Sequence, residues 1–308
     1  MTLRAVWSFW SKPHRAGRHA NWASEWHHWL AWGLSVHAAR QHYPDTVLVT
    51  DGAGARMLID TLELPFERVS TALDMLDDAD PQWWALGKLE AYRRQTAPFV
   101  HIDADVFLWQ ALPPELCACA VIAQNPEPIP SLETCYRPDV LEHALAQPGD
   151  GWLPREWRWY RRTRSQWRAE CCGIFGGTRL DFIRHYAARA LRIASDPRNR
   201  IRLDRLPGKD AHMILLEQYL LSACLDYHAD RAASPFADVR IGYMFERMDL
   251  AHSEASCQAG FTHLAAGTKR DRRVCRDLEW RVQRDLPQFY ERCCRRLSRF
   301  DVTRTDSR

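Results

Sequence analysis

Long apolar runs are absent from this 308-residue sequence, and none approaches the roughly twenty residues that a membrane-spanning helix needs. The first ten residues lack the apolar stretch and the small-residue cleavage site of a signal peptide, so we expect a cytoplasmic protein with no membrane span. No two of the 10 cysteines are arranged as C-x-x-C, which disfavours a zinc ribbon or a redox motif and predicts free thiols.

An excess of one charge is also lacking, because Lys and Arg total 42 against 39 Asp and Glu, a formal net charge of +3. This balance is too close to neutral to predict a nucleic-acid-binding protein. Lysine is scarce among the basic residues, which include only Lys12, Lys88, Lys209 and Lys269. A coding bias towards arginine is the simplest explanation, and under such a bias a retained lysine is a somewhat better functional candidate.

What the sequence does contain is the composition of a globular protein, with 46% hydrophobic and 26% charged residues. Its first two thirds alternate between strand-like patterns and helix-like patterns. The predicted strands are residues 3–10 (followed by a loop), 46–50, 66–69, 99–102 and 120–124, and the predicted helices are 21–40, 53–62 and 83–95. This alternation predicts an α/β fold with a mainly parallel, Rossmann-like sheet and helices on both faces.

The pattern dissolves from about residue 126 to 170, where Pro, Trp and Arg dominate and residues 154–162 are the densest part. An irregular segment of this length predicts a lid or binding loop, or else a disordered insert. In the simplest interpretation it is a helix or lid whose tryptophans pack on the domain and whose arginines are solvated. Alternatively, its aromatic residues stack on an acceptor sugar or an aromatic acceptor beside arginines that attract an anionic one, or they bind single-stranded nucleic acid. We favour the lid over acceptor contact, and we disfavour nucleic acid because no nucleic-acid module is visible.

Regular patterns return after this segment. Residues 172–177 predict a strand, residues 180–194 and 210–227 predict helices, and an Arg-rich helical pattern covers residues 271–300. We therefore expect one domain over residues 1–270 and a helical C-terminal extension over residues 271–308.

Asp103 and Asp105 form the sharpest chemical signal. They follow the apolar run 99–102 directly, and a second apolar run, 106–109, comes after them. Ligands of such sheets bind beyond the carboxyl ends of the strands, and charges between apolar runs are costly without a partner. Two carboxylates one residue apart can reach a single Mg²⁺ or Mn²⁺ ion, which would neutralise a diphosphate leaving group. The pair D-x-D is also common by chance and is then simply solvated.

His263 and Lys269 form the second signal, with the Gly267 turn between them. Imidazole is a common metal ligand, and a lysine ammonium is a point charge suited to phosphate. Without the two aspartates, a surface loop with an incidental histidine would be the preferred interpretation.

Together these residues resemble glycosyltransferases of the GT-A fold, which use nucleotide sugars. In the family 8 type, a D-x-D pair and a later His chelate Mn²⁺, and a C-terminal H-x-x-G-x-x-K stretch supplies that His and a phosphate-binding Lys. His263 and Lys269 keep the six-residue separation, although Gly267 lies four residues after the histidine. The N-terminal half is closer to a bacterial group of glycosyltransferase-like proteins without an assigned function, over stretches 8–13, 87–92, 98–109, 173–177 and 217–219.

The resemblance implies a role for each matching position. Asp103 would lie near the ribose or a metal-bound water and would belong to the metal site. Asp105 and His263 would be metal ligands, and Lys269 would face the diphosphate. The other implied substrate-binding residues are Ser11, Lys12, Pro13 and Asp51 near the nucleoside, Lys88 in the stretch 87–92, Gly176 and Gly177 beside the sugar, and Gly267. Where this group often has a small polar residue such as Asn before the glycine strand, the chain has Cys171-Cys172.

Glu217 lies among apolar residues of the predicted helix 210–227, and periodicity alone favours an exposed carboxylate there. The resemblance instead makes Glu217 and Gln218 candidates for contact with the sugar or acceptor. The leading hypothesis is a Mn²⁺- or Mg²⁺-dependent glycosyltransferase with a nucleotide diphosphate donor, such as a UDP sugar. Its acceptor would be an unknown glycan, small molecule or protein. The alternatives are a catalytically silent nucleotide- or carbohydrate-binding protein and a metal-dependent nucleotidyltransferase.

Overall fold

The computed structural model of the protein describes residues 2–17, 21–129, 135–146 and 151–301, with the backbone alone over 297–301. These residues contain nine strands and the helices that surround them. The strands are β1 Arg4–Phe9, β2 Thr46–Thr50, β3 Arg68–Ser70, β4 Phe99–Ile102, β5 Val106–Leu108, β6 Val121–Ile129, β7 Trp167–Gly177, β8 Ile241–Tyr243 and β9 Phe261–His263. Seven of them form one sheet in the order β3-β2-β1-β4-β7-β6-β8. Only β7 is antiparallel to its neighbours in this sheet, so the expected mainly parallel α/β sheet is confirmed.

The helices before β6 are α1 Ser11–Arg15, α2 Glu25–Arg40, α3 Gly52–Ala55, α4 Leu86–Arg93 and α5 Pro114–Cys117. Those after it are α6 Pro138–Ala146, α7 Arg155–Thr163, α8 Leu180–Ser195, α9 Pro197–Asp204, α10 Lys209–Ile214, α11 Leu220–Ala229, α12 Glu254–Gln258, α13 Arg272–Asp285 and α14 Pro287–Asp301. Two π-helical turns, Arg56–Thr61 and Leu215–Tyr219, and three 3₁₀ turns, Ala72–Leu76, Leu250–His252 and Ala266–Arg270, complete the described structure. Within these residues, no helix has the length and apolar content that crossing a membrane requires.

Alternation along the strands divides the core between the two faces of the sheet. In β4, Phe99 packs into one cluster with α4, α8 and α11, whereas Val100 and Ile102 pack into a second cluster with α2, α13 and α14. Successive side chains of a strand point to opposite faces, so a strand with apolar residues at every position must be covered on both sides. The helices therefore cover both faces, as expected.

The C-terminal helices pack directly on this core. The Phe289 ring of α14 lies against Gly33 of α2, where an added Cβ would come within 2.0 Å of it. Leu278 and Val282 of α13 are buried in the same cluster. The Arg-rich pattern over 271–300 thus forms two helices, separated at Leu286, whose apolar sides cover one face of the sheet.

Two expectations about local structure are wrong. The predicted loop after the first strand is a one-turn helix, α1. The predicted irregular segment 126–170 is largely regular, because it contains the end of β6, helices α6 and α7 and the start of β7, while residues 130–134 and 147–150 lie outside the described residues. In α7, Trp157 and Tyr160 are fully buried and pack edge-on against Tyr219, so these aromatic side chains belong to the core rather than to an open loop.

The second apolar run after the aspartates also differs from a simple continuation of β4. Val106–Leu108 leaves the main sheet and pairs antiparallel with β9 in a separate two-stranded sheet. This pairing brings His263, from near the C-terminus, opposite Val106, and thereby connects the two motifs that lie far apart in the sequence.

Candidate active site

A cleft of about 230 Å³ opens at the carboxyl ends of β1 and β4. Asp103, Asp105, Lys88 and Lys269 line it together with aromatic side chains that include Trp10, Trp22 and Trp84. This is the edge at which ligands of open parallel sheets bind. The cleft therefore combines acidic groups, two of the four lysines and flat apolar walls.

The backbone at the end of β4 directs both aspartates to this edge. The Asp103 N–H donates to the carbonyl of Gly173 on β7 (2.9 Å), and the Asp103 carbonyl accepts from Val106 (2.9 Å), which closes a turn. The carbonyl of Asp105 accepts from Leu264 (2.9 Å), next to the pairing of β5 with β9. Backbone hydrogen bonds therefore hold the whole Asp103–Asp105 turn between the two sheets.

The carboxylate of Asp103 is held by Lys88, whose Nζ lies 3.0 Å from Oδ2 and 2.9 Å from Oδ1. Burial raises the pKa of Asp103, Lys88 lowers it, and the nearby charges of Asp105 and Glu217 raise it again, to about 7. A carboxyl with this pKa changes its protonation state near neutral pH, which is the property a general acid or base needs.

The carboxylate of Asp105 has different surroundings. The ammonium of Lys269 forms an ion pair with it, and Nε2 of His263 lies 3.7 Å from Oδ1. Burial raises the pKa of Asp105, but Lys269 and His263 lower it further, to about 2. Asp105 is therefore ionised at neutral pH, and two carboxyl groups one residue apart have opposite pKa shifts.

His263 is oriented by Gln124 of β6, since its Nδ1 lies 2.8 Å from Gln124 Oε1. Burial lowers the pKa of His263 to about 4, so the imidazole is neutral. With Oε1 as the acceptor, the single ring proton is on Nδ1, and the lone pair of Nε2 faces Asp105. Gly173 makes room for this contact, because a Cβ there would lie 2.8 Å from the His263 ring and 2.3 Å from Gln124.

Glu217 lies on the π-helical turn Leu215–Tyr219 and is fully buried, so the exposed position favoured by periodicity is wrong. Its Oε1 lies 2.6 Å from Lys88 Nζ and accepts a hydrogen bond from Tyr92 (3.0 Å). Lys88 thus sits between two carboxylates, those of Asp103 and Glu217, with only 11% of its side chain exposed. Burial lowers the pKa of Lys88, but the two carboxylates raise it above its ordinary value, so it carries its charge.

Several predicted nucleoside-binding residues have structural partners. Asp51 is buried and accepts hydrogen bonds from Gly54 N (2.6 Å), Ser11 N (2.9 Å) and Ser11 Oγ (2.8 Å), so it caps α3 and holds α1. The ammonium of Lys12 donates to the carbonyls of Asp77 and Ala79 (2.9 Å to the latter). Of the predicted stretch 11–13, only Pro13 lines the cleft.

The predicted glycines and Gln218 also have packing roles. A Cβ on Gly176 would lie 2.0 Å from the Phe99 carbonyl, and Gly177 has φ of +131° and would meet the Ala120 carbonyl at 2.3 Å. Both glycines are therefore required by adjacent strands. The Gln218 side chain accepts a hydrogen bond from Tyr136 and does not line the cleft, and Gly267 is exposed in the turn that leads to Lys269.

The aromatic walls of the cleft were not predicted as site residues. Trp22, Trp84 and the neighbouring His14 and His28 line the cavity, and Lys269 Nζ lies 5.6 Å from the centre of the Trp22 ring. The Ala23 N–H donates to the Lys269 carbonyl (3.0 Å), which ties the segment before α2 to the turn Ala266–Arg270. For Trp22, His14 and His28 the available signal was the concentration of tryptophan and histidine between residues 10 and 32.

The chain belongs to the family described as "Family of unknown function (DUF6734)", whose model matches residues 3–296. A search of curated proteins returned no match. The family assignment covers the sheet, the cleft, α13 and the first ten residues of α14.

Proposed function

We propose that this protein is a metal-dependent glycosyltransferase of the GT-A-like class, which transfers a sugar from a nucleotide diphosphate donor, such as a UDP sugar, to an acceptor. The observation that carries the proposal is the meeting of Asp103, Asp105, His263 and Lys269 at one edge of the sheet. These residues come from the two motifs that suggested the class, and they are separated by more than 150 residues in the sequence.

The donor atoms at this edge fit a divalent cation. A neutral imidazole nitrogen and an ionised carboxylate face each other at 3.7 Å without a hydrogen bond between them, an arrangement that a shared cation would stabilise. Gln124 orients the imidazole through its other nitrogen, as is usual for metal-binding histidines. Asp105 and His263 would hold Mn²⁺ or Mg²⁺ directly, Asp103 would contribute through a metal-bound water, and when bound the ion would neutralise charge on the donor diphosphate.

The remaining side chains can bind and orient the donor. The ammonium of Lys269 is positioned for a phosphate once it is released from Asp105, since a compact point charge suits this contact. The ring of Trp22 lies beside it and offers a flat face on which a base can stack. Lys88 forms an ion pair with the Asp103 carboxyl and is itself held by Glu217. Lys88 and Glu217 would therefore position Asp103 rather than contact the nucleotide sugar.

One observation favours a second function, nucleotide binding without turnover. Both aspartates already have a lysine partner, Lys88 for Asp103 and Lys269 for Asp105. Moreover, Asp103, Asp105 and His263 do not gather their ligand atoms within 4.8 Å of one another, whereas another group of described residues does. In a silent protein these ion pairs would be permanent, and a nucleotide would bind mainly through the aromatic walls of the cleft.

The test is a panel of nucleotide sugars with the parent protein, Asp105→Asn and the control Asp277→Asn, which removes an exposed carboxylate. We expect Mn²⁺-dependent donor hydrolysis or transfer with the parent and the control, and a loss of at least about 100-fold with Asp105→Asn. Binding without turnover in all three proteins would favour the silent function. Release of pyrophosphate from a nucleoside triphosphate would favour a nucleotidyltransferase, and absence of any nucleotide binding would contradict all three.

A further inference from the structure

A second cluster of potential metal ligands lies outside the cleft. It consists of Glu156 at the start of α7, His185 on α8 and His228 near the end of α11, so three different helices contribute. Glu156 is fully buried and His228 is 2% exposed, whereas His185 is half-buried. None of the three lines the cleft.

The spacing of the three ligand atoms matches one face of a tetrahedral zinc site. The distances are 3.0 Å from His185 Nε2 to Glu156 Oε1, 3.2 Å between the two histidine Nε2 atoms, and 3.7 Å from His228 Nε2 to Glu156 Oε1. Zinc with nitrogen and oxygen ligands at about 2.0–2.1 Å in tetrahedral geometry places its ligand atoms about 3.3–3.4 Å apart. The three observed distances lie on both sides of that value.

Hydrogen bonding alone cannot satisfy this triangle when both imidazoles are neutral. His185 Nε2 faces both Glu156 Oε1 and His228 Nε2 but carries at most one proton. If that proton is donated to the carboxylate, the lone pair of His228 Nε2 lacks a donor. If His228 donates instead, the lone pair of His185 faces the carboxylate. A cation at the centre would satisfy all three atoms at once.

The surroundings fix the ligands as a metal site requires. His228 Nδ1 lies 2.7 Å from Ser234 Oγ, which also accepts from the Phe236 N–H (3.2 Å), so the other ring nitrogen is oriented from outside. Oε2 of Glu156 is buried and receives no hydrogen bond from another described residue.

Two guanidinium groups compete for the same carboxylate. Nε of Arg155 lies 3.7 Å and Nε of Arg189 lies 3.8 Å from Glu156 Oε1, both beyond hydrogen-bond distance. The positive charges of Arg155 and Arg189 repel a bound cation, so the affinity of this site for a metal ion is lower than that of a site surrounded by anionic groups alone.

We infer that Glu156, His185 and His228 form a second metal site, for zinc or a similar transition metal ion, that clamps α7, α8 and α11 together. Two imidazoles and one carboxylate suit zinc and its neighbours in the first transition row and disfavour Mg²⁺ and Ca²⁺, which prefer oxygen ligands alone. Three protein ligands leave one coordination position of a tetrahedral metal ion open. The His185 side chain is 18% exposed, so a water can reach this position from the side of His185. This site is independent of the proposed transferase reaction.

The experiment uses the full chain, stripped of metal with a chelator and then titrated with Zn²⁺ and, separately, with Co²⁺. Zinc per chain is measured by elemental analysis after dialysis, and tetrahedral Co²⁺ is recognised by its visible absorption bands. The proteins are the parent, His185→Gln, the exposed-histidine control His143→Gln, and Asp105→Asn, which alters only the cleft.

We expect one zinc and a tetrahedral Co²⁺ spectrum in the parent, in His143→Gln and in Asp105→Asn, with binding at least roughly 100-fold weaker in His185→Gln. We also expect zinc to raise the melting temperature of the parent, but not that of His185→Gln. The inference is overturned if the parent binds no zinc and gives no tetrahedral Co²⁺ spectrum, or if zinc is lost in Asp105→Asn and retained in His185→Gln. The cobalt spectrum of Asp105→Asn decides the question even if His185→Gln does not fold, because this variant lacks the cleft carboxylate and keeps Glu156, His185 and His228.

Discussion

Replacing Lys88 by Met tests how the candidate site is held together. The Lys88 ammonium lies between Asp103 (2.9 Å) and Glu217 (2.6 Å), and methionine has a similar volume but no charge. The substitution therefore leaves two carboxylates near each other without their cation, and Glu217 is fully buried. Removing one partner of a buried ion pair costs about 3–5 kcal/mol of folding free energy, because the remaining charge is uncompensated.

The loss should depend on pH in a defined direction. Without Lys88, the pKa of Asp103 in the folded protein rises, because burial and the nearby charges of Asp105 and Glu217 are no longer offset. The folded state then binds more protons than the unfolded chain. The stability that this protonation contributes is therefore fully present below the pKa of Asp103 in the unfolded chain, near 4. It is lost as the pH rises through the higher pKa of Asp103 in the folded variant. The parent releases the Asp103 proton near pH 7, whereas the variant retains it, so relative to the parent the variant should lose about 1.4 kcal/mol more at pH 8 than at pH 6.

Urea unfolding at pH 6, 7 and 8, followed by circular dichroism, measures this difference. The matched control is Lys209→Met, whose partner Asp80 is 30% exposed and lies 2.5 Å away. Asp80 stays ionised throughout this range, so the control should lose about 1 kcal/mol at every pH. Adding Glu217→Gln to Lys88→Met should recover part of the loss at pH 8. A destabilisation by Lys88→Met that is below 1 kcal/mol, or equal at pH 6 and 8, would refute the reasoning.

Three further predictions concern the cleft, the mid-chain segment and the C-terminal helices. Lys269→Ala frees Asp105 and should raise Mn²⁺ affinity several-fold while weakening nucleoside diphosphate binding about tenfold, as measured by calorimetry; unchanged Mn²⁺ affinity would contradict the competition. Trp157→Ala should cost about 3–5 kcal/mol in urea unfolding because the side chain is fully buried, and a loss below 1 kcal/mol would instead support a lid. Gly33→Ala should cost about 1–3 kcal/mol through overlap with Phe289, and Phe289→Leu in the same chain should recover part of it, unless α14 does not pack there.

Elements with one dominant pattern were predictable from the sequence. The runs Thr46–Thr50 and Phe99–Ile102 are strands with the predicted bounds, because short runs rich in apolar and β-branched residues, interrupted only by His101, suit a strand buried on both faces. The segment 126–170 was not predictable in the same way. Its arginines conceal the apolar side of α7, where Trp157 and Tyr160 are three residues apart, as on one face of a helix.

The chemistry of the site was only partly readable from the sequence. The position of Asp103 and Asp105 after a buried strand pointed to the correct edge of the sheet, and both line the cleft. Asp51 follows a strand in the same way, yet its carboxylate caps a helix, because Ser11 and Gly54 come within hydrogen-bond distance only in the folded chain. A strand end thus predicts where a carboxylate lies but not which partner occupies it.

The sequence by itself determined the alternation of strands and helices, the strand-end placement of the aspartates and the presence of His263 and Lys269 near the C-terminus. Tertiary structure alone decided which of these residues meet. The pairing of β5 with β9 brings His263 to Asp105, and the packing of three helices brings Glu156, His185 and His228 together. The physical reason is that local patterns report burial and backbone preference, whereas contacts between distant residues depend on how the sheet and helices pack.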